Sequence, residues 1–257
     1  MLRPIITSVR LGIAATAILF TFASASAAEA GQSLKVAKDC TKIAVRVAKR
    51  LSVPRCYHEG LYHDGSSIWL VNGEGGKIWV IDTSSGTVSS EITPVAGFTE
   101  AITAKGDGTF YTTEWFEKKV YRARLEEKRL VAVSSVSVAP SHPAGAIWNG
   151  SRLYVILWDR GLLGTRFSIV EMDEEMKVLN KIPVRTIQEP CQLAWDGSYL
   201  WMTSWYDARV YKIDVATWEV VGYFCSSFDK TTGIAWDGNS LWLTATYGDL
   251  YQMEFGT

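Results

Sequence analysis

The chain has 257 residues, of which 26 are Lys or Arg and 27 are Asp or Glu, so its formal net charge is −1. No basic excess and no long basic run provides the electrostatic footprint that a phosphate backbone requires, and nucleic acid is therefore not an expected partner. This length is ample for a domain with its own hydrophobic core.

The first thirty residues predict a secretory signal peptide. Arg3 and Arg10 precede the apolar run LGIAATAILFTFA, and the small-residue string SASAAEA follows it. The run is shorter than the roughly twenty apolar residues that span a bilayer, and the small residues fit an A-x-A cleavage site. Residues 1–30 are thus predicted to be removed on export, and residues 31–257 to form one periplasmic or secreted domain without membrane contact. A retained membrane anchor is the alternative.

Four cysteines occur in the predicted exported domain: Cys40, Cys56, Cys191 and Cys225. An oxidising compartment favours one or two disulfides, and because four cysteines allow three pairings, the sequence leaves the pairing open. No C-x-x-C spacing occurs and the chain has three histidines, so a structural zinc site is not expected.

One pattern recurs five times from residue 59 onward. The copies begin EGLYHDGSSIWLVN, EAITAKGDGTFYTTEW, AGAIWNGSRLYVILW, CQLAWDGSYLWMTSW and TGIAWDGNSLWLTAT. Equating Leu61, Ile102, Ala146, Leu193 and Ile234 gives steps of 41, 44, 47 and 41 residues. A period of this length with several short strands per unit is typical of propeller blades. The sequence therefore predicts an all-β, five-bladed β-propeller.

The segments within each repeat fit that architecture. Asp-Gly or Asn-Gly pairs follow the first segment of four copies and supply the left-handed backbone of tight hairpin turns. The next segments, such as SIWLV and YLWMTS, are rich in aromatic and apolar residues, as strands packed between blades are. Six of the eleven tryptophans hold repeat positions and are expected to fill these wedges. They are Trp69, Trp148, Trp195, Trp201, Trp236 and Trp242.

The fifth repeat ends near Phe255 with only three strands' worth of sequence. The segment KIAVRVAKRLSVP, which precedes the first repeat, can supply the fourth strand. An N-terminal strand joining the last blade would remove the exposed sheet edge of an open ring.

Candidate functional residues are found where the repeats differ. At the head of each innermost strand the equivalent residues are Glu59, Glu100, Ala144, Cys191 and Thr232. A carboxylate at the mouth of an apolar channel loses hydration, which raises its pKa and makes it a candidate proton shuttle. Carboxylates satisfied by backbone N–H groups, or solvated at the rim, are the alternative.

A second set of differences lies at the end of the following strand. Three copies carry Trp115, Trp158 and Trp205 there, and the other two carry Gly73 and Thr246. Tryptophans converging on one end of the channel would build an apolar pocket for a small molecule or a peptide terminus. The alternative is that these rings pack loops.

These same residues carry a resemblance to the propeller-type glutaminyl cyclases of plants and bacteria. YHEGL at 57–61 resembles the family's F-T-Q-G-L, and GFTEAI at 97–102 resembles F-G-E-G-[IL], whose glutamate is the proposed acid/base. The resemblance assigns that role to Glu100, and it makes Trp115 in YTTEW and Trp205 in TSW the pocket tryptophans. Tyr57, Glu59 and Trp158 are the further substrate-binding candidates.

The chain departs from the family at three positions. Ala144 or a neighbour stands where the family has a tryptophan, Cys191 stands where it has an asparagine, and its late lysine has no counterpart in TATYGDLY. Gln192 and Tyr206 are the candidate replacements for the lost hydrogen-bond donor.

The resemblance implies a glutaminyl-peptide cyclotransferase, which cyclises an N-terminal glutamine to pyroglutamate and releases ammonia. No metal or other cofactor is expected, the partner is a peptide N-terminus or a small molecule, and the protein is expected to be a monomer. One alternative is a non-catalytic propeller that binds a peptide or small ligand in the same pocket. Another is a metal-dependent, lactonase-like hydrolase, with oxygen ligands from Glu59, Asn72, Glu100 and Asp207.

Overall fold

The computed structural model describes residues 32–226, 228 and 230–256, so the predicted signal peptide lies outside the described residues. Strands are the regular secondary structure throughout these ranges. No helix in them is long and apolar enough to cross a membrane.

Two strands precede the repeats, and four blades of four strands then follow in chain order. The first two strands are β1 (Lys35–Lys42) and β2 (Val45–Leu51). Blade 1 contains β3 (His58–His63), β4 (Ser67–Asn72), β5 (Lys77–Asp82) and β6 (Val88–Ile92). Blade 2 contains β7 (Thr99–Ala104), β8 (Thr109–Glu114), β9 (Lys119–Glu126) and β10 (Arg129–Ser137). Blade 3 contains β11 (His142–Trp148), β12 (Leu153–Gly161), β13 (Gly164–Met172) and β14 (Val178–Val184). Blade 4 contains β15 (Pro190–Trp195), β16 (Leu200–Ser204), β17 (Arg209–Asp214) and β18 (Glu219–Cys225).

The fifth blade has three strands from the last repeat, β19 (Thr231–Trp236), β20 (Leu241–Ala245) and β21 (Leu250–Phe255). Within every blade the successive strands are antiparallel neighbours. The innermost strands β3, β7, β11, β15 and β19 each pack against the innermost strands of the two adjacent blades, which closes a ring around a central channel. The predicted five-bladed β-propeller is confirmed.

The N-terminal strand β2 closes the ring. It pairs antiparallel with β21, from Val45 opposite Phe255 to Leu51 opposite Leu250, and so completes blade 5 as the sequence predicted. The strand before it was not predicted. β1 pairs in parallel with β18, with Lys35 opposite Glu219, and adds a fifth strand to the outer edge of blade 4.

A repeated hydrogen-bonded turn fixes the first hairpin of three blades. Asp64, Asp196 and Asp237 each accept backbone N–H bonds within the turn, and the second carboxylate oxygen of each accepts the indole N–H of a tryptophan five residues later. The glycine after each aspartate has φ between 97° and 102°, a conformation that other residues rarely adopt. The tryptophans bound in this way are Trp69, Trp201 and Trp242, and all three are buried, as expected.

The hydrophobic core is divided among the interfaces between blades. Between blades 4 and 5, for example, Trp201 and Phe224 pack with Leu243 and Met253. Large side chains from both sheets fill each wedge, and this explains why the strands of the repeats are so rich in tryptophan and leucine.

The structure does not show the predicted disulfides, since all four cysteines are free in it. They are carried by four separate elements. Cys191 is buried at the channel, Cys225 is exposed at the end of β18, Cys40 lies on β1, and Cys56 lies in the loop before β3.

Candidate functional site

A bulge or register shift occurs at the same point of all five innermost strands, close to their N-terminal ends. Such irregularities re-aim a side chain. The backbones of neighbouring innermost strands also approach closely here: a Cβ atom added to Gly145 would lie 2.5 Å from the carbonyl oxygen of Cys191. The five residues predicted to head the innermost strands all line one cavity as a result. They are Glu59, Glu100, Ala144, Cys191 and Thr232.

The cavity has a volume of about 220 Å³ and lies at the end of the channel where the innermost strands begin. All six residues that the sequence singled out for the site line it, namely Tyr57, Glu59, Glu100, Trp115, Trp158 and Trp205. Phe98, Phe116 and Arg160 complete the lining and were not predicted.

Two carboxyl groups from neighbouring blades meet on the floor of this cavity. The side chains of Glu59 and Glu100 are both buried and hydrogen-bond to each other. Burial raises the pKa of each group above its ordinary value, and the charge of Glu100 raises the pKa of Glu59 further. The hydrogen bond acts in opposite directions on the two, raising the pKa of Glu59 and lowering that of Glu100. The surroundings of the pair therefore favour the protonated carboxyl groups over the carboxylates.

The tryptophan walls are held by hydrogen bonds and by one arginine. The Trp158 indole N–H donates to the carbonyl oxygen of Pro190 over 2.7 Å, and its ring meets the ring of Trp115 edge-on at 5.6 Å between centroids. The guanidinium of Arg160 lies 5.0 Å from the centroid of Trp115. Its positive charge also lowers the pKa of Glu100. The charge of Arg160 thus acts on both the Trp115 ring and the Glu100 carboxyl group.

The remaining polar groups on the floor are uncharged. The Thr232 hydroxyl is buried and has no hydrogen-bond partner within the described part of the chain. Burial raises the pKa of the Cys191 thiol, and the charges of the two glutamates raise it further, so the thiol stays protonated and is a poor nucleophile. Burial, aided by the same two charges, raises the pKa of Tyr57 to about 12, which keeps its hydroxyl a donor.

Neither candidate replacement donor faces the cavity. The Gln192 side-chain amide instead donates to the backbone carbonyl of Glu100 over 2.8 Å, which ties blade 4 to blade 2. Tyr206 is exposed on the rim and is not part of the lining.

The four proposed metal ligands are not brought together. The side-chain oxygen of Asn72 accepts a hydrogen bond from the backbone N–H of Gly75. The carboxylate of Asp207 accepts one from the Tyr211 hydroxyl. Neither Asn72 nor Asp207 lines the cavity that contains Glu59 and Glu100. Among residues 32–226, 228 and 230–256, no group of three or more His, Cys, Asp or Glu side chains could hold a metal ion. The geometry does not support the metal-dependent hydrolase.

The arrangement defines a five-bladed β-propeller with a buried carboxyl pair at the base of a tryptophan-walled pocket. No protein-family model matches the sequence, and no curated protein matches it either. Solved structures match the fold. A glutaminyl cyclase from Myxococcus xanthus superposes with a TM-score of 0.69 at 13% identity, over 84% of this chain and 98% of its own. The PQQ-bound aldose sugar dehydrogenase from Streptomyces coelicolor gives a TM-score of 0.61 at 13% identity, over 84% of this chain and 99% of its own. At these identities the likeness concerns the fold alone.

Proposed function

We propose that the protein is a glutaminyl-peptide cyclotransferase, which converts an N-terminal glutamine to pyroglutamate. The observation that carries the proposal is the buried Glu59–Glu100 pair, two carboxyl groups with raised pKa values, at the base of a pocket with three tryptophans. The match in fold to a glutaminyl cyclase agrees with it.

The reaction moves one proton between two nitrogen atoms, and the pair is suited to that task. The α-amine attacks the side-chain amide carbon, the new C–N bond closes the five-membered lactam, and the old C–N bond breaks. The Glu100 carboxylate accepts a proton from the attacking amine and returns it to the leaving nitrogen, which departs as ammonia. A positioned acid/base of this kind typically contributes about 10²–10⁴-fold to the rate.

Charge also develops on the amide oxygen during attack, and a preorganised donor there is worth about 10²–10³-fold. The unpaired Thr232 hydroxyl and the Tyr57 hydroxyl belong to the cavity lining and supply candidate donors. We assign them the place left by the family asparagine, where this chain has Cys191. The tryptophan rings hold the methylene groups of the glutamine and exclude water from the reacting atoms.

The rim of the pocket is suited to the residues that follow the glutamine. Phe116 lines the cavity and is 68% exposed, so its ring is available to an incoming peptide. Export by the signal sequence and action as a monomer on exported peptides are part of the same proposal.

The test is ammonia release from a glutamine-initiated dipeptide by the protein that begins at residue 31. We expect turnover by the unaltered protein and a loss of at least about 10²-fold in kcat for Glu100→Gln, which preserves shape but removes the base. Glu91→Gln is the matched control, because Glu91 is an exposed outer-strand carboxylate paired with Lys77. A Glu100→Gln protein that turns over at the unaltered rate contradicts the mechanism.

A non-catalytic binding propeller is the second candidate, and Cys191 and Ala144 favour it. These small, uncharged side chains occupy floor positions where the family carries an asparagine and a tryptophan. For this candidate we expect calorimetry to show that a peptide amine binds the unaltered protein and binds Glu100→Gln more weakly. Neither protein should release ammonia.

A further inference from the structure

Among the described residues that line the cavity of the Glu59–Glu100 pair, Arg160 is the one with a basic side chain. Its guanidinium lies 5.0 Å from the centroid of Trp115 and 5.8 Å from that of Trp158, so two aromatic rings hold its position. A guanidinium packed against ring faces keeps the N–H donors around its edge available. Within residues 32–226, 228 and 230–256, Arg160 forms no salt bridge and donates no side-chain hydrogen bond.

The acidic groups around Arg160 have other partners. Asp159, its neighbour in sequence, lies on the opposite face of β12 and pairs with Arg166 at 3.1 Å. The carboxylate of Glu114, whose charge also acts on the floor of the cavity, accepts hydrogen bonds from two backbone N–H groups. Burial raises the pKa of both carboxyl groups on the floor, so they offer less negative charge than two ordinary glutamates. The positive charge of Arg160 is therefore not paired by the protein.

Positive charge also lies beside the third tryptophan wall. The Lys230 ammonium is 4.6 Å from the centroid of Trp205, which lines the cavity from blade 4. A cation thus stands next to the ring of each wall tryptophan, while the floor carries the carboxyl groups. A ligand with an amine at one end and a carboxylate a short distance away is complementary to this arrangement of charges.

We propose that Arg160 is a specificity-determining residue, which binds a carboxylate of the residue that follows the N-terminal glutamine. The inference rests on the proposed function, because the glutamine has to fill the pocket for the next residue to reach the exposed guanidinium. The carboxylate belongs either to an aspartate or glutamate side chain or to the chain end of a dipeptide, and a guanidinium binds both through the same two parallel N–H···O bonds. The preferred substrates are therefore short peptides with a negative charge on their second residue.

The test compares glutaminyl peptides in two matched pairs. Glutaminyl-glutamyl amide and glutaminyl-glutaminyl amide differ in the charge of one side chain, whereas free glutaminyl-alanine and its amide differ in the charge of the chain end. We expect the unaltered protein to show a kcat/KM at least about fivefold higher for the charged member of at least one pair. A preference in the first pair assigns the carboxylate to the side chain, and one in the second pair assigns it to the chain end. Equal values within both pairs overturn the proposal.

Substitutions then assign the preference to one residue. Arg160→Gln should remove the preference for the charged peptide, and Arg166→Ala, which alters a positive charge on the same hairpin, should keep it. Each preference compares two peptides on one protein, so the folded fraction and any effect on the pKa of Glu100 cancel. A preference that survives in Arg160→Gln, or that Arg166→Ala also abolishes, contradicts a direct contact with Arg160.

The proposed function and the role of Arg160 fail in different ways. Ammonia released equally well from both members of each pair keeps the cyclotransferase and refutes the role of Arg160. If no peptide releases ammonia, the cyclotransferase is refuted, and the same peptides then serve as unreacted ligands in calorimetry. The unaltered protein should in that case bind the charged member at least about fivefold more tightly. Equal affinity within both pairs, or no binding, would refute the role of Arg160 as well.

Discussion

The raised pKa values of the Glu59–Glu100 pair make the stability of the fold depend on pH, and this dependence can be measured without a substrate. In the unfolded chain both carboxyls ionise near their ordinary pKa, about 4.3. In the folded protein both pKa values are raised, so the pair retains protons that unfolding releases. Stability from this source is complete below the unfolded pKa and is lost as pH rises through the folded pKa values.

The size of the effect can be worked out for one released proton. Each proton released on unfolding lowers the free energy of unfolding by about 1.4 kcal/mol per pH unit. Between pH 7 and pH 8.5 the unaltered protein should therefore lose up to about 2 kcal/mol. Below this window His58, His63 and His142 act in the opposite direction, because burial lowers the pKa of each. Near pH 8.5 the thiols add to the loss, because an ordinary thiol ionises around this pH and burial raises the pKa of Cys56 and Cys191 in the fold.

Urea unfolding at several pH values is the assay, with the slope m as a check that the unfolded state is unchanged. We expect the Glu59→Gln/Glu100→Gln protein to show a clearly shallower dependence from pH 7 to pH 8.5, set by the thiols that all the proteins share, and Glu59→Gln alone an intermediate one. Glu91→Gln, which alters an exposed carboxylate, should follow the unaltered protein. A stability that is flat or rises with pH in the unaltered protein would show that the two carboxyls are ionised in the fold and would refute the raised pKa values.

Two further predictions concern ring closure and the pocket wall. Leu51→Ala, on the closing strand, removes a buried side chain that packs with the cores of blades 1 and 5, and should lower the free energy of unfolding in urea by about 2–5 kcal/mol. Val47→Ala, at an exposed position of the same strand, should lower it by less than about 0.5 kcal/mol. Equal effects of the two substitutions would mean that β2 is not docked. Arg160→Ala removes a charge that lowers the pKa of Glu100, so the acidic limb of kcat/KM should move to higher pH. Arg166→Ala, which breaks only an exposed pair with Asp159, should leave the profile in place, and an unmoved limb in Arg160→Ala would exclude the charge effect.

The architecture was predictable because its determinants are local and repeated. Asp196, Gly197 and Trp201 specify a turn and its buried lock within six residues, and similar sets recur in two other blades. The incomplete last repeat then requires a strand from elsewhere in the chain. Apolar and polar residues alternate in β2, as expected of an outer strand. β1 has no such signal. Its segment KVAKDCTK has no clear alternation, and its partner residues on β18 are more than 180 positions away in sequence, so the parallel pairing depends on a sheet edge that exists only after folding.

The site was predictable in position and less so in chemistry. Aligning the repeats placed Glu59 and Glu100 at equivalent points of adjacent blades, which is enough to bring them together in a ring. The orientations of the side chains next to the pair could not be predicted from the sequence. Gln192 follows Cys191 directly, yet the bulge turns its amide toward the backbone of blade 2 and leaves the thiol at the cavity.

Arg160 shows what kind of signal was missed. Residues two apart on a strand share a face, so an arginine two positions beyond Trp158 lies on the pocket side provided that the strand continues. In the other blades the second strand ends at or before the residue preceding the position of Trp158, but β12 runs to Gly161 and carries Arg160 to the rim. The extra length of the third repeat, whose step to the next is 47 residues, was therefore the available clue. In a repeat protein an insertion places new chemistry at the end of a blade without altering the ring, and here it places a positive charge beside the carboxyl pair.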